Sequence, residues 1–288
     1  DTLMGAFIFF MLDLFLTLLQ MSVVFPLPVS DTGTVRYRTL PIMTYVLILI
    51  NSLIFLGLQA PNLIAATQAE QFGQFEPFIQ ALQAYVDQIW TYGYRDVFLR
   101  SGESIGAFAT FTSMFMHSDL NHLLGNMVYL WAFGRRIEDA CGPWRYLLFY
   151  LLAGMIANMG SEVLNPANSD IPSIGASGAI AGIMGAYLIL FPGARVNCLW
   201  ILGSVIRLPI AAIRGKDLWS WTIPIPSFIL LIYFAVENAI PSFQVMQQGD
   251  DLGGVNTLAH LAGFLACLLV LLFVRKDLFN RFIAGRSL

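Results

Sequence analysis

Charge is what this sequence has least of. Only 11% of its 288 residues are Asp, Glu, Lys or Arg, less than half the ~25% of a soluble domain. With 57% hydrophobic residues and a mean hydropathy of +0.71, the composition excludes an ordinary soluble domain and points to a polytopic membrane protein. A basic surplus is missing as well. The net charge is −3, and no basic run or aromatic-basic patch occurs, which argues against a nucleic-acid partner. Cysteine is scarce: Cys141, Cys198 and Cys267 have no paired spacing for a metal knuckle or a disulfide framework, and read as small apolar filler. No basic segment precedes the first apolar run, so that run does not read as a secretory signal peptide.

What the chain does have is apolar runs of spanning length, ~20 residues each. They lie at about 41–58, 118–134, 144–163, 174–191, 224–240 and 256–274, with a further run at about 3–25. Backbone exposed to lipid must satisfy its own hydrogen bonds, so the expected class is all-α; the short alternating segments of a membrane barrel are absent. If the segment beginning at Pro41 starts in the cytoplasm, 13 of the 15 basic residues are cytoplasmic and only Arg95 and Arg100 are external. The C-terminus is then cytoplasmic, and a bacterial cytoplasmic membrane is the expected compartment. In the first run, Asp13, Thr17 and Gln20 share one helix face. With no Lys or Arg on that face, a seventh span with an external N-terminus is favoured over an interfacial helix. The external loop at 59–104 carries many aromatics and reads as an interfacial belt. Residues 193–223 read as a semi-buried cytoplasmic stretch with no chemistry.

Polar groups inside lipid are expensive and usually functional. Only three histidines occur, His117, His122 and His260, and all lie at or just inside apolar segments. With the orientation set by charge, the segments near 118, 174 and 256 all run inward. His122, Asn126, Ser177 and His260 then sit within ~5–12 Å of the external ends of their helices. A hydroxyl, two imidazoles and a carboxamide therefore share one depth, although none of them contributed to the orientation.

That set suits acyl transfer. A serine hydroxyl needs a base to take its proton, and His260 is the only histidine outside the 117–126 cluster. A developing oxyanion needs donors. His122 and Asn126 are four apart on one face and both can donate, and the Ser177 N–H lies near a helix N-terminus. Gly175, Gly178 and Gly182 leave room for a substrate backbone. Ala259 and Gly263 let the His260 helix approach closely. Taken alone, Ser177 and the Gly178, Gly182, Ala186 ladder would be read as helix packing. Asn51, Asn158 and Glu162 read as interhelical or interfacial contacts. Other chemistries fail on spacing: there is no H-E-x-x-H, no aspartate pair inside two spans, and Ala179 stands where a G-x-S-x-G elbow needs glycine.

Three short stretches carry a resemblance: "HSDLNHLLGN" with His117, His122 and Asn126, "GASG" with Gly175, Ser177 and Gly178, and "AHLAG" with Ala259, His260 and Gly263. In this order, on these segments, they resemble the rhomboid intramembrane serine proteases. "GRRIEDACG" after the second core segment is rhomboid-like too, and the likeness covers about residues 36–276. It implies a six-helix core at 36–276, preceded by residues 1–35 with the extra helix and followed by a tail at 277–288. It implies Ser177 and His260 as catalytic dyad, with Asn126, His122 and the Ser177 amide as oxyanion site. It further implies a water-filled cavity, a 59–104 loop partly embedded in the outer leaflet and a cap at 241–255. The substrates would be single-span membrane proteins in a lipid bilayer, with no metal or cofactor. Two positions depart from the family. Ala181 stands where many members carry an aromatic supporting the base, so another aromatic is implied for His260. The Trp-Arg pair common in the first external loop is not evident. The alternative function is a non-hydrolytic rhomboid-like protein that binds or escorts membrane proteins; such proteins usually lack the serine or the histidine, and this chain has both. A transporter ranks below, since internal repeats and broken paired helices are absent.

Overall fold

The computed structural model describes residues 26–31, 40–102, 105–164, 171–202, 205, 213, 222–248 and 256–285. The expected extra helix at 3–25 lies outside the described residues, as does part of the expected cap, 249–255. The described chain is mostly helical. All six apolar core segments are helices: α1 (Ile42–Gln71), α3 (120–141), α4 (Pro143–Leu164), α5 (Ser177–Leu190), α6 (Ser227–Gln248) and α7 (Thr257–Phe273). Helix α2 (Phe75–Tyr92) lies in the long first loop, and α8 (Lys276–Ile283) ends the described chain. Among the described residues, α1, α4 and α6 are long and apolar enough to cross a membrane, and α7 with α8 forms a fourth apolar unit bent by 109°. Four charged residues, Arg135, Arg136, Glu138 and Asp139, crowd the end of α3, and α5 is short.

Helices α1, α3 and α6 run further than their apolar segments suggested, α3 to Cys141. Helix α1 passes through Pro61 to Gln71 by way of a π turn at Phe55–Gln59. Pro61 cannot donate to the carbonyl four residues back, and a wider turn there accommodates the missing bond. Helix α6 passes through Pro241 to Gln248, so residues 241–248 of the expected cap are helix. The first loop is in large part a helical hairpin: α1 turns at Gly73, whose φ of +65° suits glycine, into α2.

The all-α expectation needs one correction. Strands β1 (Leu27–Asp31), β2 (Arg195–Leu199) and β3 (Thr222–Pro226) form an antiparallel sheet in the order β1-β2-β3. Leu27 pairs with Leu199 and Asp31 with Val196, across a bulge between Pro28 and Ser30. Val196 and Cys198 are buried in the main core. Each strand is only five residues long and pairs across more than 20 residues of sequence, so no local periodicity announced it.

The sheet is tied to the C-terminal ends of α3 and α5 by a buried polar knot. The Arg136 guanidinium forms a two-point ion pair with Asp31, Nε to Oδ2 at 2.7 Å, and Tyr187 donates to the same carboxylate at 2.7 Å. Glu138, two residues on, accepts from the N–H groups of Met43 and Thr44 and from the Thr44 hydroxyl, at 2.8–2.9 Å. It thereby satisfies the free donors at the start of α1. The stretch "GRRIEDACG" thus fastens the first strand and the first helix to α3. Asn158 is interhelical as expected, donating from α4 to Thr110 O and Ser113 Oγ, whereas Asn51 bonds back to Leu47 O within its own helix.

Candidate active site

The N-terminal ends of α3, α5 and α7 come together through small residues. A Cβ on Gly263 would lie 2.1 Å from the Gly178 carbonyl oxygen, and one on Gly178 would meet the Ala157 methyl at 2.4 Å and Ala259 O at 3.7 Å. The backbones of α5 and α7 therefore touch at Gly178 and Gly263, and α4 closes the same contact with Ala157. This approach is available only to glycine, and it brings the helix bearing Ser177 directly against the helix bearing His260.

Ser177 is the first residue of α5. The preceding turn is held open by Gly175, whose φ of +120° is strained for any side chain. Its N–H donates to Ser113 O at 2.8 Å. A Cβ at Gly175 would lie 2.8 Å from His122 Nε2 and 3.5 Å from Ser177 Oγ. The hydroxyl and the imidazole therefore face the same small space, which exists because position 175 has no side chain. Ser177, His122 and His260 are all half-buried. No hydrogen bond joins Ser177 to His260 in this structure; what the fold supplies is the contact between their helices.

His122 is set by the start of α3. The N-cap Asp119 accepts from the His122 N–H at 2.9 Å and from the Ser118 hydroxyl at 2.7 Å. The Ser118 N–H points at His122 Nδ1 at 3.4 Å. The Ser118 hydroxyl lies nearer, 3.1 Å from the same Nδ1, so that nitrogen faces Ser118 while Nε2 lies on the Gly175 side. One turn along the same face, Asn126 is buried, and its Nδ2 has no hydrogen-bond partner among the described residues. An amide donor left unpaired in a buried site costs about 1–3 kcal/mol.

His117 packs edge-on against His122, ring centroids 5.0 Å apart. Its backbone is gripped by Gln59 from the π turn of α1, which accepts from the His117 N–H at 3.0 Å and donates to the His117 carbonyl. The first loop adds a second brace: Tyr85 on α2 donates to Ser118 O at 2.6 Å. Burial, and then the nearby Asp119 carboxylate, push the Tyr85 phenol up to about 12, so it remains a donor at any working pH. Arg95 stacks over the Trp90 ring at 4.5 Å. Tyr94 and Ser173 exchange backbone hydrogen bonds at 2.8–2.9 Å, which ties this loop to the turn before Ser177.

Two amides that the sequence did not single out complete the surroundings. Asn256 caps α7 through the Ala259 N–H at 2.9 Å, accepts from Ser161 at 3.0 Å and donates to Ser173 Oγ at 3.2 Å. It joins the His260 helix to α4 and to the turn before Ser177. Asn238 on α6 lies with Oδ1 2.8 Å from His260 Nδ1. Phe234, one turn earlier on α6, has its ring centroid 6.0 Å from that of His260, an aromatic neighbour where Ala181 offers none. An amide in an apolar helix gives no sign of its partner, and Asn238 and His260 are 22 residues apart. Among the described residues, no three His, Cys, Asp or Glu side chains come together as metal ligands.

Comparisons with known proteins place the whole of this constellation inside one family region. Rhomboid-like protein 11, chloroplastic, of Arabidopsis thaliana is 27% identical over 172 residues, covering 57% of this chain and 51% of its own. Rhomboid protease GluP of Bacillus subtilis is 38% identical over 93 residues, 32% of this chain and 18% of its own. The presenilin-associated rhomboid-like protein, mitochondrial, of Rattus norvegicus is 36% identical over 116 residues, 38% of this chain and 31% of its own. The match thus spans about half of the plant relative and less of the other two. Because these relatives are bacterial, chloroplastic and mitochondrial, they do not favour the bacterial compartment expected from the sequence. The Rhomboid domain model matches residues 106–277, which include His117, His122, Asn126, Ser177 and His260, and this integral membrane protein belongs to the rhomboid family.

Proposed function

We propose that the protein is an intramembrane serine endopeptidase that cuts single-span membrane proteins in or beside their transmembrane segments. The observation that carries this reading is the backbone contact between Gly178 and Gly263, which sets the serine helix against the histidine helix beside a buried, unpaired Asn126 amide. A site awaiting a developing oxyanion keeps its donor free.

The six core segments, at 36–276, are read as six crossings with the site towards the external face. Helix α5 has 14 residues, about 21 Å at 1.5 Å per residue, against a hydrocarbon core of ~30 Å. Its Ser177 end would therefore lie below the outer surface, in a site open to water from that side.

In the reaction, Ser177 Oγ attacks the substrate carbonyl while His260 Nε2 takes the hydroxyl proton. The negative charge on the tetrahedral oxygen is met by Asn126 Nδ2, His122 Nε2–H and the Ser177 N–H at the start of α5. Collapse breaks the C–N bond, and His260 gives its proton to the leaving amine. Water, deprotonated by His260, then hydrolyses the acyl-enzyme and restores the serine.

The direct test is labelling with a fluorophosphonate, which needs no natural substrate, together with cleavage of a model transmembrane substrate in proteoliposomes. Ser177→Ala should abolish labelling and reduce cleavage by about 10⁴-fold or more. Labelling that persists in Ser177→Ala removes the serine from the mechanism. A wild-type protein that neither labels nor cleaves, but retains membrane-protein partners, favours the escort reading.

A further inference from the structure

The site as described leaves one question of chemistry open: what makes Nε2, rather than Nδ1, the basic nitrogen of His260. A neutral imidazole carries one proton. If it sat on Nε2, that nitrogen could not accept from the serine.

The answer lies one helix away. Asn238 is buried, 6% exposed, and both ends of its carboxamide are engaged. Nδ2 donates to Phe234 O at 2.8 Å, and Oδ1 lies 2.8 Å from His260 Nδ1. A carbonyl oxygen can only accept, so the end facing Phe234 O must be the NH₂. The oxygen must then face the imidazole. That oxygen can also only accept, so Nδ1 must carry the proton, and the Nε2 lone pair is left free. The chain of roles runs from a backbone carbonyl that cannot change its character, through one amide, to the tautomer of the histidine. Phe234, on the preceding turn of the same helix, limits the ring from the side.

We propose that Asn238 is a positioning residue that holds His260 in the Nδ1–H tautomer, so that the base, although carried on α7, is oriented by α6. This rests on the protease reading above and deepens it. Asn238 touches neither substrate nor the reacting atoms. Its effect is to make every neutral His260 a competent base, and the same Nδ1–H···O bond serves the imidazolium that forms after proton transfer. Asn238 and Phe234, both on α6, thus hold the imidazole of α7 from two sides.

The test uses the full chain in detergent micelles with ¹⁵N-labelled histidine. Only three histidines are present, so a two-bond ¹H–¹⁵N correlation spectrum separates the rings, and His260→Ala assigns the relevant signals. In the wild type, His260 should show the Nδ1–H pattern. Asn238→Leu should lose that pattern in favour of Nε2–H or a mixture, and lower kcat by about 10²-fold with KM within about twofold. Asn238→Asp, which keeps the acceptor, should retain Nδ1–H and recover kcat to within about tenfold of wild type. An unchanged tautomer, or an unchanged kcat, in Asn238→Leu overturns the proposal. Should that variant fail to fold, loss of Nδ1–H in Asn238→Asp does the same. The tautomer is read without substrate, so it stands apart from the protease reading, which fails separately if Ser177→Ala still cleaves.

Discussion

Helices α3 and α5 each carry buried polar residues at both ends, and the two ends are built on opposite principles. At the C-terminal end, the inner one in the proposed orientation, every charge has a partner. Arg136 meets Asp31 at two points, Tyr187 completes the carboxylate, and Glu138 takes three donors from the start of α1. At the outer end, the Ser177 hydroxyl and His122 Nε2 face an empty position at Gly175, and Asn126 Nδ2 has no partner among the described residues. Asn126 and Arg136 are ten residues apart on one helix, about 15 Å at 1.5 Å per residue. Within that distance the fold passes from polar groups that hold it together to polar groups kept in reserve. Buried charges cost several kcal/mol each unless paired, so the inner end is where mutations should unfold the protein. The outer end carries neutral dipoles whose lack of partners costs less, and there mutations should spare the fold and remove the chemistry.

The largest expected effect is at the inner end. Arg136→Met leaves the Asp31 carboxylate buried with only neutral donors, and should lower stability by about 3–5 kcal/mol in unfolding measured in micelles, with cleavage per folded molecule unchanged. A variant that unfolds normally but has lost activity would join the two ends and end the contrast. Next comes Asn126→Ala, expected to cost about 2–4 kcal/mol of transition-state stabilisation, read as a 10²–10³-fold fall in kcat. Its unfolding midpoint should be equal to or above wild type, because an unpaired buried donor is removed. A destabilisation as large as that of Arg136→Met would make Asn126 a structural residue. The smallest is Tyr187→Phe, which removes one hydrogen bond to a charged acceptor and should cost about 1.5 kcal/mol. Combined with Arg136→Met it should be non-additive, since both side chains serve Asp31; strict additivity would show that the knot does not act as a unit.

The contrast was only half legible in the sequence. Ser177, His260, His122 and Asn126 stood out because polar residues are conspicuous in apolar runs, and because charge asymmetry gave them a common depth. Their helices do meet, through the glycines that the small-residue pattern marked. The knot at the other end was legible only in part: "GRRIEDACG" stood out by its resemblance, but nothing pointed to its partner, because Asp31 lies 105 residues from Arg136. The apolar segments at 41–58 and 224–240 stop short of Pro61 and Pro241, yet α1 continues past Pro61 through a π turn and α6 runs on to Gln248. A proline removes one hydrogen bond, which a helix held along its length can lose without ending.

The sequence by itself determined the solvent of this protein, the helical character of its core and the polar residues that stand out within it. Each follows from hydropathy or from the cost of a polar group in lipid, and both are summed along the chain. Tertiary structure alone decided which polar group answers which: Asn238 for His260, Gln59 for His117, Asp31 for Arg136, and three strands for one another. A hydrogen bond depends on two groups arriving within about 3 Å at the right angle. For groups separated by tens of residues, only the packed helices set that distance.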